Sequence, residues 1–323
     1  MKSVKLKALA KVNLDLRVLN RRGDGFHELR TVFQTISLAD TIEIQFEKAR
    51  RTRIEIEGNV EIADNLIFRA AEAILDRMRV RARVHFRLEK RIPMGAGLGG
   101  GSSDAAAMLL TLPVLAGRPV AMENLIETAA QLGSYVPFFL AGGTAVAIGR
   151  GTEFYSLPDV AEQEILVVST GVHVSTAEAY RALGRGLTFP ASSSSINSFQ
   201  ALVRALGELR AAGLASALSR NDFEAVVFKL YPKLQKIRGR LSRSGAAGAR
   251  MTGSGSAIFG IYDSAEGRER ARKRLEGEQL FRGCVMPAKL VSGSGYRRMW
   301  RRQLRDFLDP DDKLWPPRDR YAR

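Results

Sequence analysis

The chain has 323 residues, 45% of them hydrophobic and 26% charged, with a formal net charge of +16. That apolar content suffices for one large or two modest cores, and no run approaches the roughly 18 apolar residues of a membrane helix. The single cysteine, Cys284, excludes an intrachain disulfide, suits a reducing cytoplasm, and does not group with His27, His85 and His173 at metal-ligand spacing. Lys2, Lys5, Lys7 and Lys11 interrupt the N-terminus, so a cleaved signal peptide is not expected. The charge excess has three readings: phosphate-backbone contacts, steering of polyanionic substrates, or scattered solvated arginines. Without a recognition helix, an RNP-type aromatic pattern or a zinc finger, neither nucleic acid nor membrane is an expected partner.

In chain order, Lys5 to Leu19 reads as a strand, and the turn R-R-G-D-G-F-H at 21–27 leads to a second candidate, T-V-F-Q-T-I-S-L. T-I-E-I-Q-F-E at 41–47 and T-R-I-E-I-E at 52–57 alternate strictly, as half-exposed antiparallel strands do. Asp64 is placed to cap the helix N-L-I-F-R-A-A-E-A-I-L-D-R-M, and R-V-H-F-R-L-E-K at 83–90 is another strand running into a glycine loop. The pattern restarts after a break near 151–160. A strand at 164–169, a Ser-rich stretch at 192–195, helices from 196 to about 242, a strand at 256–262, a basic helix from 265 and a last strand near 283–291 follow. Strand–helix mixing on both sides of the break predicts two α+β domains with a site between them. The expected boundaries are residues 1–155 and 156–295, with a basic tail over 296–323.

The loop Pro93-Met94-Gly95-Ala96-Gly97-Leu98-Gly99-Gly100-Gly101-Ser102-Ser103-Asp104 is the most informative stretch. Its glycines let backbone N–H groups approach a ligand. The two serines stand where an apolar helix begins and are expected to cap it, and a helix N-terminus binds phosphate. No Lys-Ser/Thr pair follows the glycines, so it is not a Walker A loop. The dinucleotide spacing at Gly95, Gly97 and Gly100 lacks its apolar strand and its acid, and no H-R-D or D-F-G sequence marks a protein kinase. A tight, flexible turn would not require so many glycines followed by two serines. A nucleotide-phosphate cradle accounts for the stretch best.

P-x-G-x-G-L-G-G-G-S-S-D-A-A resembles the ATP loop of the galactokinase–homoserine kinase–mevalonate kinase (GHMP) superfamily. The triple glycine is similar to its diphosphocytidyl-methylerythritol branch. A-K-V-N-L-D-L at 10–16, G-D-G-F-H-E-L-R-T-V-F-Q at 23–34, D-N-L-I-F-R-A-A at 64–71, N-D-F-E at 221–224 and M-T-G-S-G-S-A-I-F-G at 251–260 also match, in register over residues 8 to 262. The resemblance implies an N-terminal ribosomal-protein-S5-like domain and a C-terminal ferredoxin-like domain. It implies a cytoplasmic kinase that uses ATP and Mg²⁺ to phosphorylate the 2-hydroxyl of diphosphocytidyl-methylerythritol in non-mevalonate isoprenoid synthesis. Pro93 to Asp104 would then hold the triphosphate. Lys11 matches the active-site lysine, where the flanking match weighs against a solvated surface lysine. Asn13 would meet the polyol. Phe26 and His27 would form the cytosine site, with Tyr180 as its opposite face or as core packing. Asn65 would approach the adenine or cap its helix, and Gly253 and Gly255 belong to the motif near the phosphate loop.

One position departs from that pattern. The branch carries L-G-A-D-V-P-F-F, whose aspartate is the proposed base, whereas this chain reads L-G-S-Y-V-P-F-F, with Tyr135 in its place. A tyrosine, with a pKa of about 10, is neutral at pH 7. Three consequences stay open: an impaired kinase that still binds both ligands, a tyrosine whose pKa Lys11 depresses, or a transfer that tolerates the loss because it depends mainly on positioning and charge. A competent fold with reduced turnover is the expectation. An inactive ligand-binding homologue and another small-alcohol kinase are the alternatives.

Overall fold

The computed structural model describes residues 1–169, 171–187, 193–208, 218, 220–281 and 285–308. Cys284, Ser192 of the Ser-rich stretch and residues 309–323 of the expected tail lie outside the described residues.

Two long strands build the first sheet: β1 (Lys2–Arg21) and β2 (His27–Lys48) run antiparallel along their whole length. β3 (Arg53–Gly58), β4 (Ala82–Glu89), β5 (Thr144–Gly149) and β6 (Glu153–Ser156) complete it in the order β3-β4-β2-β5-β6, with β1 beside β2. The second strand candidate and the 41–47 segment are thus one strand. The 52–57 segment, expected antiparallel, pairs parallel with β4, because helix α1 (Leu66–Met78) carries the chain across between them. Helices α1, α2 (Gly100–Ala116), α3 (Met122–Leu132) and α4 (Phe138–Ala141) cover this sheet.

The second sheet is antiparallel, in the order β10 (Val285–Lys289), β7 (Glu164–Val168), β9 (Ile258–Tyr262), β8 (Gly248–Met251). Helices α5 (Thr176–Leu183), α7 (Glu224–Leu230), α8 (Pro232–Arg243) and α9 (Ala265–Glu276) share its core, while α6 (Ser193–Glu208) packs into the cluster between the sheets. β1 threads all of this. Val4, Leu6 and Ala8 enter the first core, Ala10, Val12 and Leu14 the middle cluster, and Leu16 and Val18 the third. A strand buried on both faces over 8–19 makes the two halves one packed body.

The stretch expected as a basic tail from residue 296 starts instead as helix α10 (Gly293–Leu304), with Tyr296, Trp300 and Leu304 buried in the first core. Its seat is the glycine pair before β5. A Cβ at Gly142 would stand 2.5 Å from the Tyr296 ring, and one at Gly143 would stand 2.6 Å from Gly293 Cα. The Tyr296 hydroxyl donates to the Phe139 carbonyl at 2.6 Å. The arginines between Tyr296 and Leu304 are the solvent side of an amphipathic helix, which their density in the sequence conceals.

Candidate active site

The glycine loop forms where β4 ends. Gly95, Gly97 and Gly99 all adopt left-handed backbone angles, with φ of 65°, 79° and 74°. Gly99, not either serine, is the N-cap of α2, and Ser103 N–H makes the first intrahelical bond, to the Gly99 carbonyl at 2.9 Å. The N–H groups of Gly100, Gly101 and Ser102 therefore precede the helical ladder and carry the positive end of its dipole. Side-chain capping would have consumed one of them. A cavity of about 370 Å³ opens over these groups, lined also by Asp64, Asn65 and Met94. Asn65, rather than Asp64, caps α1 by accepting from Ile67 N–H at 3.2 Å, and it also faces this cavity.

The loop is held from behind by the 251–260 segment. A Cβ at Gly97 would lie 2.2 Å from the Thr252 carbonyl oxygen, and one at Gly253 would lie 3.0 Å from Gly97 Cα, so the two backbones touch where both residues lack side chains. Ala257 N–H donates to the Ala96 carbonyl at 3.1 Å. Gly255 sits behind this contact, against Met251 and Val174. Lys90, at the end of β4, pairs with Asp40 and, at 2.7 Å, with Asp104 of α2. Burial pulls Lys90 down, but the two carboxylates outweigh it and leave it above its ordinary value. Burial, partly offset by Lys90, pushes the Asp104 carboxyl up to about 7.

On β1, register shifts between Leu9 and Lys11 and between Asn13 and Asp15 flank the Lys11–Asn13 pair. Such irregularities interrupt the ladder and re-aim side chains. Lys11 N–H is thereby free to donate to the Leu98 carbonyl at 2.9 Å, tying strand to loop. Lys11 is 1% exposed, which removes the surface-lysine reading. Its Nζ donates to Asn13 Oδ1 at 2.6 Å and lies 5.0 Å and 5.4 Å from the ring centroids of Phe33 and Tyr135. No carboxylate forms an ion pair with it among the described residues, and burial lowers it from 10.5 to about 7. Asn13 Oδ1 also accepts from Gly253 N–H at 2.9 Å, and Asn13 Nδ2 donates to Thr31 Oγ1 at 2.8 Å. Asn13 thus holds the lysine, the loop support and β2 together. Thr252, whose hydroxyl accepts from Asn13 N–H at 3.1 Å, is a member that sequence reasoning missed, as are Lys90 and Asp40.

Tyr135 stands beside this centre, edge-on to Phe33 at 5.4 Å. Burial raises its pKa, so Lys11 does not depress it. A Cβ at Gly151, next to Arg150, would lie 3.3 Å from the Tyr135 ring and 3.6 Å from Leu29. Leu29 and Arg150 line the second cleft, of about 780 Å³, with Phe26, His27, Tyr180 and Arg181. The structure brings these three aromatic candidates together, but not as two open faces. His27 stacks directly on Tyr180 at 4.5 Å and 21°, and the Arg150 guanidinium lies 3.6 Å from the centroid of Phe26. Burial, then Arg21, lowers His27, which favours its neutral form at pH 7. Arg150 had no signal in the sequence beyond its place in the strand-turn A-I-G-R-G.

Two family models match, GHMP kinases N terminal domain over residues 65–143 and GHMP kinases C terminal over 180–280. The chain is 52% identical over 320 residues to the 4-diphosphocytidyl-2-C-methyl-D-erythritol kinase of Solibacter usitatus, covering 98% of this chain and 97% of that protein. It is 41% identical over 279 residues to the protein of the same name from Pelotomaculum thermopropionicum, covering 85% and 95%. A solved 4-(cytidine 5'-diphospho)-2C-methyl-D-erythritol kinase superposes with a TM-score of 0.71 at 38% identity, over 88% of this chain and 98% of that one. The chain is thus a small-molecule kinase, and it belongs to the 4-diphosphocytidyl-2-C-methyl-D-erythritol kinase family of the GHMP kinases.

Proposed function

We propose that the protein transfers the γ-phosphoryl group of ATP to the 2-hydroxyl of 4-diphosphocytidyl-2-C-methyl-D-erythritol, in the reducing cytoplasm. The observation that carries the reading is that Lys11 packs against Leu98 and Gly99 of one cavity, while Tyr135, beside it, packs at Gly151 next to Leu29 and Arg150 of another cavity of different chemistry. One is a cradle of backbone N–H groups, and the other a cleft of Phe26, His27 and Tyr180 with arginines around it. The first suits a triphosphate. The second suits a pyrimidine, whose face stacks on aromatic rings and whose edge bonds to an imidazole. For the base to enter, the His27–Tyr180 and Arg150–Phe26 stacks have to part, so the aromatics are covered until substrate displaces their neighbours.

In this reading Asn65 borders the adenine end, and the loop from Pro93 to Asp104 cradles the phosphates. Asn13 acts through Lys11 and Gly253 rather than on the polyol, because its amide oxygen is already engaged by both. Mg²⁺ fits Asp104, whose Oδ1 is buried without a hydrogen-bond partner in the loop cavity; one carboxylate plus phosphate oxygens is an ordinary Mg²⁺ environment. When bound, the ion would offset charge on the transferring group.

The test is ATP-dependent phosphorylation of 4-diphosphocytidyl-2-C-methyl-D-erythritol by the purified protein, beside a panel with homoserine and mevalonate. Turnover of the cytidyl substrate alone is the expected result. A Tyr180→Ala variant should weaken substrate binding by about 5- to 100-fold, as loss of one stacking partner does, and leave ATP binding in place. A second reading, a binding protein without turnover, is favoured by one observation: no carboxylate reaches Lys11 among the described residues. Tight binding of both ligands without product would establish it.

A further inference from the structure

Phosphorylation of an alcohol releases the hydroxyl proton, which needs an acceptor within hydrogen-bond reach of the attacking oxygen. The groups that converge between the loop and the cleft are Lys11 and Asn13 from β1, Phe33 from β2, Tyr135 from the turn before α4, and the backbone at Gly99 and Gly253. Only Lys11 and Tyr135 among them titrate. Asp40 and Asp104 both accept from Lys90, and Asp15 is closed by Arg17 at 2.9 Å. The Tyr135 hydroxyl has no hydrogen-bond partner among the described residues, and burial keeps it protonated.

We infer that the amine of Lys11 is the general base of this enzyme: held by Asn13, buried, and without a counter-ion among the described residues, it takes the proton of the substrate hydroxyl. The inference rests on the kinase reading above. One hydrogen of the amine is committed to Asn13 Oδ1, which Gly253 and Thr31 fix in turn, so the nitrogen lone pair has a defined place beside the loop. As the hydroxyl oxygen bonds to the γ-phosphorus, Nζ takes its proton, and the bond from that phosphorus to the β–γ bridging oxygen breaks. ADP leaves with the electron pair. The new ammonium then lies against the transferred phosphoryl group, and its proton returns to solvent when product departs. A lysine lowered to about 7 has the proton affinity this work needs near neutral pH.

The deciding measurement is kcat against pH from 5.5 to 9 at saturating ATP, Mg²⁺ and substrate. With Lys11 as base, kcat rises about tenfold per unit and levels above pH 7. Lys11→Arg keeps a cation but no base, and should lose roughly 10²- to 10⁴-fold, with its pH slope gone and both ligands still bound. Tyr135→Asp places a carboxylate beside Lys11, which raises the amine and takes over the proton, so the rising limb moves at least two units lower. A parent kcat that falls or stays flat across pH 7, or a Lys11→Arg variant as fast as the parent, overturns the inference in favour of a purely electrostatic lysine. A silent parent with an active Tyr135→Asp variant also overturns it while leaving the kinase reading intact. Silence of both without substrate binding removes the kinase reading and this inference with it.

Discussion

Two lysines are buried against the same glycine loop, and their surroundings give them opposite characters. Lys90 has two carboxylates, Asp40 and Asp104, and its charge is held above its ordinary range. Lys11 has an amide oxygen and two aromatic rings, and burial pulls it down from 10.5 to about 7. Burial disfavours both ammonium groups alike, so the difference comes from what faces them. The ring faces attract a cation by about 0.5–2 kcal/mol, too little to replace an ion pair in a dry site. Lys90 is therefore a fixed post that joins β2, the loop and the start of α2. Lys11, on the reading proposed above, is an amine that changes protonation where chemistry occurs.

The sharpest way to break this comparison is to remove each charge while keeping the stem. Lys90→Met strands two buried carboxylates, and breaking a buried pair from one side costs about 3–5 kcal/mol. Urea unfolding at pH 7.5 should show that loss, together with weaker ATP binding as the loop start comes loose. Lys11→Met should do the reverse. The folded-state value lies below the unfolded value of 10.5, so the unfolded chain binds more protons between pH 7 and 10.5, and stability rises with pH across that window. The cost is fully present below about 7 and fades toward 10.5. At about 1.4 kcal/mol per unit its ceiling is roughly 5 kcal/mol. The Lys11→Met variant should thus be more stable than the parent at pH 6.5 and show little gain at pH 10. A gain independent of pH, or a loss at pH 6.5, would mean that Lys11 is neutral or paired.

Much of the glycine loop was legible in the sequence because its signal is local: five glycines fall in seven positions, and Gly97 and Gly99 are needed where φ is positive. Lys11 was legible only through its flanks. What made it a buried amine, the irregularities on both sides of it and Tyr135 more than a hundred residues away, has no local pattern. Side-chain period sees one strand at a time, so it gave two strands where β2 is one, and an antiparallel partner where β3 runs parallel to β4. The Gly142–Gly143 pair was visible as part of G-G-T. Its purpose, a seat for Tyr296 and Gly293, depends on a helix about 150 residues on, whose arginines read as a solvated tail.

The finest distinction concerns which part of Tyr135 sets the character of Lys11. The ring excludes water and shows its face to Nζ at 5.4 Å, while the hydroxyl has no partner among the described residues. If the ring alone matters, Tyr135→Phe preserves everything relevant. Stability should change by no more than about 1 kcal/mol, in the favourable direction if at all, since an unpaired hydroxyl in a half-buried position contributes nothing to lose. The pH midpoint of kcat should stay within a few tenths of a unit of the parent. A midpoint that moves upward, or a rising limb that vanishes, would place the phenol in the proton's path and make Lys11 its partner. A Tyr135→Leu variant then separates face from volume: it keeps the site dry but removes the ring's attraction for the ammonium, so the midpoint should fall slightly below that of the phenylalanine variant.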